Sequence, residues 1–215
     1  MNVEQRYRYV YKPALFIAAL TPALLLAGAA FGIGPRHLGA DPVKEILHSC
    51  GLTALKFLLL TLLVTPLRQI TGNPHLQRLR RMLGLFAFFY ALLHFTVYAW
   101  LDQDFDLAAI GKDIVKRPYI TIGMAALLML VPLAVTSTNR MMRRLKSRWQ
   151  RLHYLIYPIA ILGVWHFWWQ VKKDIREPLL YAAILAVLLG WRVLRGPVRR
   201  ALTSKSGSAT APERT

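Results

Sequence analysis

The sequence predicts an all-α membrane protein, a bundle of six transmembrane helices with both termini in the cytoplasm. Three observations carry this. Of the 215 residues, 55% are hydrophobic, and they fall in discrete runs separated by charged segments. Six runs reach or approach the roughly 20 apolar residues needed to cross ~30 Å of hydrocarbon: about 13–33, 46–66, 82–100, 118–135, 152–169 and 179–194. Between them lysine and arginine alternate in density, nineteen on one side against eight on the other. That is the positive-inside pattern, which puts the richer segments in the cytoplasm.

Each element has its own signals. The first run follows Arg6, Arg8 and Lys12, and Ala27-Gly28-Ala29 has the look of a signal-peptide cleavage site. The apolar stretch is too long for a usual signal peptide and further spans follow, so it is read as an uncleaved helix. The second run carries His48 near its outer end and Lys56 at its midpoint, the third enters past Arg80 and Arg81 and carries His94, and the fourth opens at Pro118. A proline there sacrifices no helical hydrogen bond. The fifth run follows the basic segment Arg140 to Arg151 and holds His153, Pro158 and His166. The sixth opens at Pro178 and is short, extended past Trp191 by snorkelling of Arg192 and Arg195. The organisation expected is a cytoplasmic N-terminus at 1–12, one membrane domain at 13–195, and a polar, small-residue tail at 196–215 that is disordered.

The net charge of +18 raises the question of nucleic acid. Its loop-by-loop alternation argues for membrane topology instead, so no nucleic-acid partner is expected and the partner surface is the lipid bilayer. Eight of the ten acidic residues fall on the outer loops, among them Asp102, Asp104, Asp106 and Asp113; this is read first as a solvated face and second as a docking face. Cys50 is the one cysteine, so no intrachain disulfide forms. No Gly-rich phosphate loop and no soluble-type internal repeat is evident, and the reading is a membrane unit without a nucleotide-binding domain.

The histidines carry the chemistry. Ionisable or metal-binding side chains are rare at membrane depth because hydrocarbon offers them no hydrogen bonds. In a chain without buried carboxylates, a cofactor metal is the natural partner for apolar-flanked imidazoles. Counted from Arg81, His94 lies about 20 Å into the third helix, and counted from Arg151, His166 lies about 22 Å into the fifth, at ~1.5 Å per residue. The two match in depth on helices running the same way. Arg80, Gly84, Ala87, Ala91 and His94 share one stripe of the third helix, either for helix packing or for close approach of a flat macrocycle. His153 stands near the cytoplasmic edge, as an interfacial residue or as the ligand of a second, inner site. An ideal helix turns it away from His166, an objection softened by Pro158 between them. Arg80 borders the inner depth, where it would serve a haem propionate or partner the metal. Lys56 lies too deep to snorkel and is expected to face the bundle interior, bonded to a cofactor or to another helix. His37 and His75 fall in loops.

Six helices, a histidine in the third and two spaced by 13 in the fifth resemble the ferric-reductase-like transmembrane family. The segments Thr53-Ala54-Leu55-Lys56-Phe57-Leu58, Arg80-Arg81-Met82-Leu83-Gly84-Leu85, Arg117-Pro118-Tyr119, Thr136-Ser137-Thr138 and Arg148-Trp149-Gln150-Arg151-Leu152-His153 resemble its haem-binding members that serve methionine sulfoxide reduction. The similarity runs from about Pro13 to Arg195. It implies a multi-pass protein of the bacterial inner membrane, with haem b and FMN as cofactors. It also implies electron transfer from the quinone pool or a cytosolic flavin reductase to a periplasmic molybdopterin-containing reductase subunit that repairs oxidised proteins. The chain would be the electron-transfer subunit and not the one that reduces the sulfoxide. The wider family carries four histidines for two haems; here there are three, with Arg80 where the fourth would stand, which leaves one haem or two open.

The site expected is therefore His94 and His166 on the main haem iron, with His153 and Arg80 forming or bordering an inner site. Two axial imidazoles fill the iron and favour electron transfer over oxygen chemistry. Two other readings stay open. One is a quinol-oxidising cytochrome b anchor of another periplasmic oxidoreductase. The other is a haem-free transporter relaying protons through histidines, although the broken helices and paired intramembrane carboxylates typical of transporters are not seen.

Overall fold

A computed structural model of the chain describes residues 2–33, 37–171 and 174–207, with backbone alone from 195 onward. The described residues are helical and loop, without strands. Arg36, Lys172 and Lys173, expected on the outer loops, lie outside the described residues, as does residue 208 onward of the expected tail.

Helices α1 (Val3–Arg6) and α2 (Lys12–Ala30) are joined by a π-helical turn at Tyr7–Tyr11. Then come α3 (Pro42–Thr71), α4 (Gln77–Val97), which runs on through a π turn to Asp102, α5 (Leu107–Lys116) and α6 (Pro118–Val135). The chain closes with α7 (Asn139–Leu145), α8 (Ser147–His153), α9 (Ile156–Gln170) and α10 (Arg176–Gly207). Among the described residues, five stretches are long and apolar enough to cross a membrane: Glu4–Ala30, Pro42–Thr71, Pro74–Asp102, Pro118–Val135 and Arg176–Leu194. This is the architecture of a multi-pass membrane protein.

The expected fifth span is the exception. Its histidines sit on two helices, because the chain turns at Tyr154 and Leu155 before α9 begins. Alpha-helix α9 has 15 residues, or about 22 Å, short of ~30 Å of hydrocarbon. Pro158 does not kink a continuous helix, as the sequence suggested. It occupies the first turn of α9, where a missing N–H is harmless.

Local sequence explains the other boundaries. Asp41 accepts from the Lys44 N–H (3.1 Å) and Pro42 opens α3. The Asp41 side chain also pairs with the Lys44 ammonium, which holds its carboxyl below the usual range. Gly72 closes α3 in the left-handed region (φ 67), returning its N–H to the Arg68 carbonyl. Asp106 caps α5 through Ala108 and Ala109, and Thr138 caps α7 through Met141.

The centre of the bundle is two antiparallel hairpins, α3 with α4 and α6 with α9. They join so that α4 packs on α6 and α3 on α9. Phe57 stacks flat on Tyr90 (centroids 5.5 Å, 9°), and Phe86 lies against Phe57. Fully buried Tyr90 ties α2 to this core: its hydroxyl donates to the Ala19 carbonyl (2.7 Å) and accepts from the Ala23 N–H (3.0 Å). The hydroxyl thus bridges one step of α2 next to Pro22. Large apolar side chains face outward elsewhere, including Leu128 on α6 and Val187 on α10, as a helix bathed in lipid requires.

Tyr90→Phe strips both bonds at once while keeping the ring. We expect a loss of about 1–3 kcal/mol from a buried group left unpaired, read as a lower thermal unfolding midpoint in detergent with the helical circular dichroism unchanged.

Candidate functional site: two stacked cavities between the hairpins

His94 on α4 and His166 on α9 meet across the bundle, their ring centroids 6.1 Å apart and their planes at 81°. Each is held from behind by the other helix of its hairpin. His94 Nδ1 lies 2.9 Å from the Leu47 carbonyl on α3, and His166 Nδ1 lies 2.7 Å from the Tyr119 carbonyl on α6. A carbonyl can only accept, so each Nδ1 carries the proton and each Nε2 keeps its lone pair. These are neutral imidazoles with their coordinating nitrogens left available.

Both rings line a cavity of about 320 Å³ together with small and apolar residues of all four hairpin helices. Behind the rings there is no room for a side chain. A Cβ on Gly51 would come within 3.0 Å of His94 Nδ1, and one on Gly123 within 2.8 Å of His166 Nδ1. The expected stripe of the third helix is real and serves two chambers: Ala87, Ala91 and His94 line this cavity, whereas Arg80 and Gly84 line the next.

That second cavity, about 1040 Å³, continues along the same hairpins, and Leu130 borders both. Arg68, Arg80, Arg81, Lys146 and Arg192 line it, and no carboxylate does. His153, at the end of α8, is fixed there by the Trp149 carbonyl (Nδ1 at 3.0 Å) and by the Trp149 ring, stacked at 3.7 Å. Trp149 is itself anchored, its indole N–H donating to the Thr136 carbonyl at 2.9 Å. Among the described residues His153 Nε2 is buried without a hydrogen-bond partner. Arg192 donates to the Tyr157 hydroxyl, to Thr65 Oγ1 (2.9 Å) and to the Leu62 carbonyl (3.3 Å), while its Nε finds none.

The structure thus brings His94 and His166 together in one cavity and His153 and Arg80 in the other. Lys56 belongs to neither: it is exposed on α3 and absent from both linings. The expected interior position is corrected by helix phase, since Lys56 shares its face with exposed Leu60, Leu63 and Leu67. Of the loop histidines, His75 packs on Tyr7 at 5.4 Å. His48 is exposed at the rim of the histidine-pair cavity, its ring 5.9 Å from Phe167.

Sequence reasoning missed Gly51, Gly123, Trp149 and Arg192. A glycine four residues after each partner carbonyl was a usable signal, but only once the carbonyls were known.

The donor set can be tested against a metal macrocycle. Two imidazoles on opposite sides of one first-row metal, each at about 2.0–2.1 Å, set their centroids roughly 6 Å apart, which is the separation seen. Among the described residues no group of three ligating side chains gathers, so a metal on this pair must take its remaining ligands from elsewhere, as from a tetrapyrrole. The residues present fit haem.

Comparison with known proteins agrees. Residues 50–164 match the model of the ferric reductase like transmembrane component. The chain belongs to the ferric-reductase-like transmembrane family. Within that family it is 57% identical over 197 residues, 90% of each chain, to the protein-methionine-sulfoxide reductase heme-binding subunit MsrQ of Xanthomonas campestris pv. campestris (strain 8004). It is 58% identical over 186 residues, 85% of each chain, to the protein of that name from Xanthomonas oryzae pv. oryzae (strain MAFF 311018). With the Bordetella pertussis protein of that name the identity is 48% over 185 residues, covering 85% and 88% of the two chains. No solved structure matches.

Trp149→Leu should free the Thr136 carbonyl and unstack His153. The expected cost is about 1–3 kcal/mol for the unpaired buried acceptor, measured as a lower unfolding midpoint of the detergent-solubilised protein.

Proposed function

We propose that this protein is a haem b electron-transfer subunit of the MsrQ kind, carrying electrons across a bacterial inner membrane to a periplasmic, molybdenum-containing methionine sulfoxide reductase. The observation that carries the reading is the His94–His166 pair: two neutral imidazoles, Nδ1 protons spent on backbone carbonyls, at the separation of two axial ligands. The names of the relatives support it.

His94 and His166 would hold the iron of the main haem. When bound, that group would supply a one-electron couple, and its ligation by two imidazoles would favour electron transfer. The chain's own work is to orient and to insulate. The carbonyls of Leu47 and Tyr119 fix ring orientation and make the imidazoles stronger donors. Leu55, Leu58, Leu127 and Leu130 keep the cavity apolar.

His153 would ligate a second haem in the arginine-lined cavity, its unpartnered Nε2 being the observation in favour. Arg80 borders that site, and the surrounding cations suit propionates or the phosphate of FMN. On the donor side the reading is quinol or a cytosolic flavin reductase. The topology that suits this traffic has six spans, with α8 and α9 together making the fifth and both termini cytoplasmic. The same helices would serve a quinol-oxidising anchor of another periplasmic oxidoreductase; the relatives' names favour the sulfoxide reductase.

The deciding experiment is a dithionite-reduced minus oxidised spectrum of the purified, haem-supplied protein. Sharp low-spin b-type bands are expected; the main component is lost in His94→Ala and in His166→Ala, whereas His153→Ala removes only the component of the second haem. A featureless spectrum from folded protein would falsify the haem reading. Independently, reporter fusions after residues 72 and 146 should report cytoplasm and those after 105 and 174 periplasm; any reversal sinks the six-span topology.

A further inference from the structure

The two histidine supports are not merely alike; they are the same motif repeated at a constant interval. Leu47, Gly51 and His94 recur as Tyr119, Gly123 and His166, each 72 residues further on. Either histidine is 47 residues from the carbonyl it meets. The interval holds for much of the cavity wall. Ala54, Leu55 and Leu58 on α3 answer Ala126, Leu127 and Leu130 on α6, all facing the cavity. Ala91 and Phe95 flank His94 as Gly163 and Phe167 flank His166, again all in the lining.

Two helices lining one cavity share helical period whatever their origin, so phase alone proves nothing. Register is a stronger witness. The α3–α4 connection is the short stretch from Gly72 to Leu76, whereas α6 reaches α9 through Thr136 to Leu155 and two extra helices. Connectors so different in path nevertheless preserve the same offset in both helices of the hairpin. The packing obeys the same symmetry, because exchanging the hairpins turns the α4–α6 contact into the α9–α3 contact, and both are present. Parallel repeats about an axis along the membrane normal are an established membrane architecture.

We propose that the histidine-pair cavity is one hairpin cradle used twice, and that Gly51 and Gly123 are paired positioning residues that hold the His94 and His166 rings in equivalent orientations toward the group they would bind. The proposal rests on the haem reading above for what is held, but not for how. At Gly123 a Cβ would collide with the ring it supports, 2.8 Å to Nδ1 and 2.9 Å to Cε1 of His166, and at Gly51 it would crowd the ring, 3.0 Å and 3.1 Å to the same atoms of His94. The bare backbone lets the imidazole lie flat on the helix, one turn beyond the carbonyl that takes its proton. A side chain there must push the ring off that carbonyl, toward the cavity. The repeat also places the missing fourth intramembrane histidine one residue beyond Arg80, where the sequence suggested it. His153 has its counterpart at Arg81, which bonds Asn139 and Met142 instead, so the duplication is intact around one cavity and broken around the other.

The test uses the full chain loaded with haem, in four forms: Gly51→Ala, Gly123→Ala, the double variant, and Gly190→Ala on α10, where an added Cβ meets nothing within 4 Å. Transfer of haem to an excess of a scavenging apo-globin and the low-spin electron paramagnetic resonance spectrum are measured. Haem loss should accelerate roughly ten- to a hundredfold in each cradle variant, the cost typical of disturbing a ligand's supporting shell. The tighter Gly123 site should be affected more, the double variant most, and the g values should move. Gly190→Ala should match wild type. Unchanged spectra and haem loss in both variants, or an effect at one glycine and none at the other, would overturn the paired cradle. Where Gly123→Ala does not fold, it is remade with His166→Ala, which deletes the ring the methyl strikes. Restored folding supports the proposal, and continued misfolding shows a general packing glycine and defeats it. If wild type binds no haem, the functional reading fails, and this folding pair still decides the role of Gly123.

Discussion

Everything in this fold hangs on how a bundle of apolar helices holds a partly buried imidazole in place. A neutral ring has one N–H and one lone pair, and in hydrocarbon both need partners. Here the proton of each paired histidine goes to a backbone carbonyl of the adjacent helix, at 2.9 Å for His94 and 2.7 Å for His166. That bond sets the tautomer, locks the ring and leaves a coordinating nitrogen uncommitted. The hairpins must then pack closely enough for a ring to lie against a neighbouring backbone, which only a glycine permits at Gly51 and Gly123.

The two cavities solve different electrostatic problems. Around the histidine pair the walls are mostly leucine, alanine, glycine and phenylalanine, with Lys44, Asp102 and Arg117 also in the lining, fit for a flat, largely apolar group. In the second cavity arginines and Lys146 converge without a carboxylate among the described residues, so the charge there is solvated by water or balanced by an anionic group that the cavity takes in. Arg192 shows how such a cation is tolerated among helices. Its guanidinium lies 5.0 Å over the Tyr157 ring while donating to a hydroxyl and a carbonyl of α3, the mix of cation–π and hydrogen bonding that a partly desolvated arginine needs.

Much of this was legible beforehand. The fourth run, expected at 118–135, is α6 to the residue, because Pro118 opens it and polar residues follow it. Matched depths for His94 and His166 followed from counting residues between charged ends, a calculation that needs only the helix rise. Lys56 shows where that arithmetic stops: depth comes from counting, but the direction a side chain faces depends on which neighbours a helix finds. The break at Tyr154 was hidden for a similar reason. Hydropathy runs straight through it, and only the packing of α8 with Trp149 against Thr136 shows that the run is two helices.

The sequence by itself determined the membrane class, the number and placement of the apolar runs and the choice of histidine as the chemical group, since these follow from composition and one-dimensional spacing. Tertiary structure decided which nitrogens are free, which glycines cradle them, that Lys56 faces outward and that one hairpin is echoed in another 72 residues on. Each of those is a relation between helices distant in the chain, set by side-chain volume and hydrogen bonding across an interface, and no local pattern encodes it.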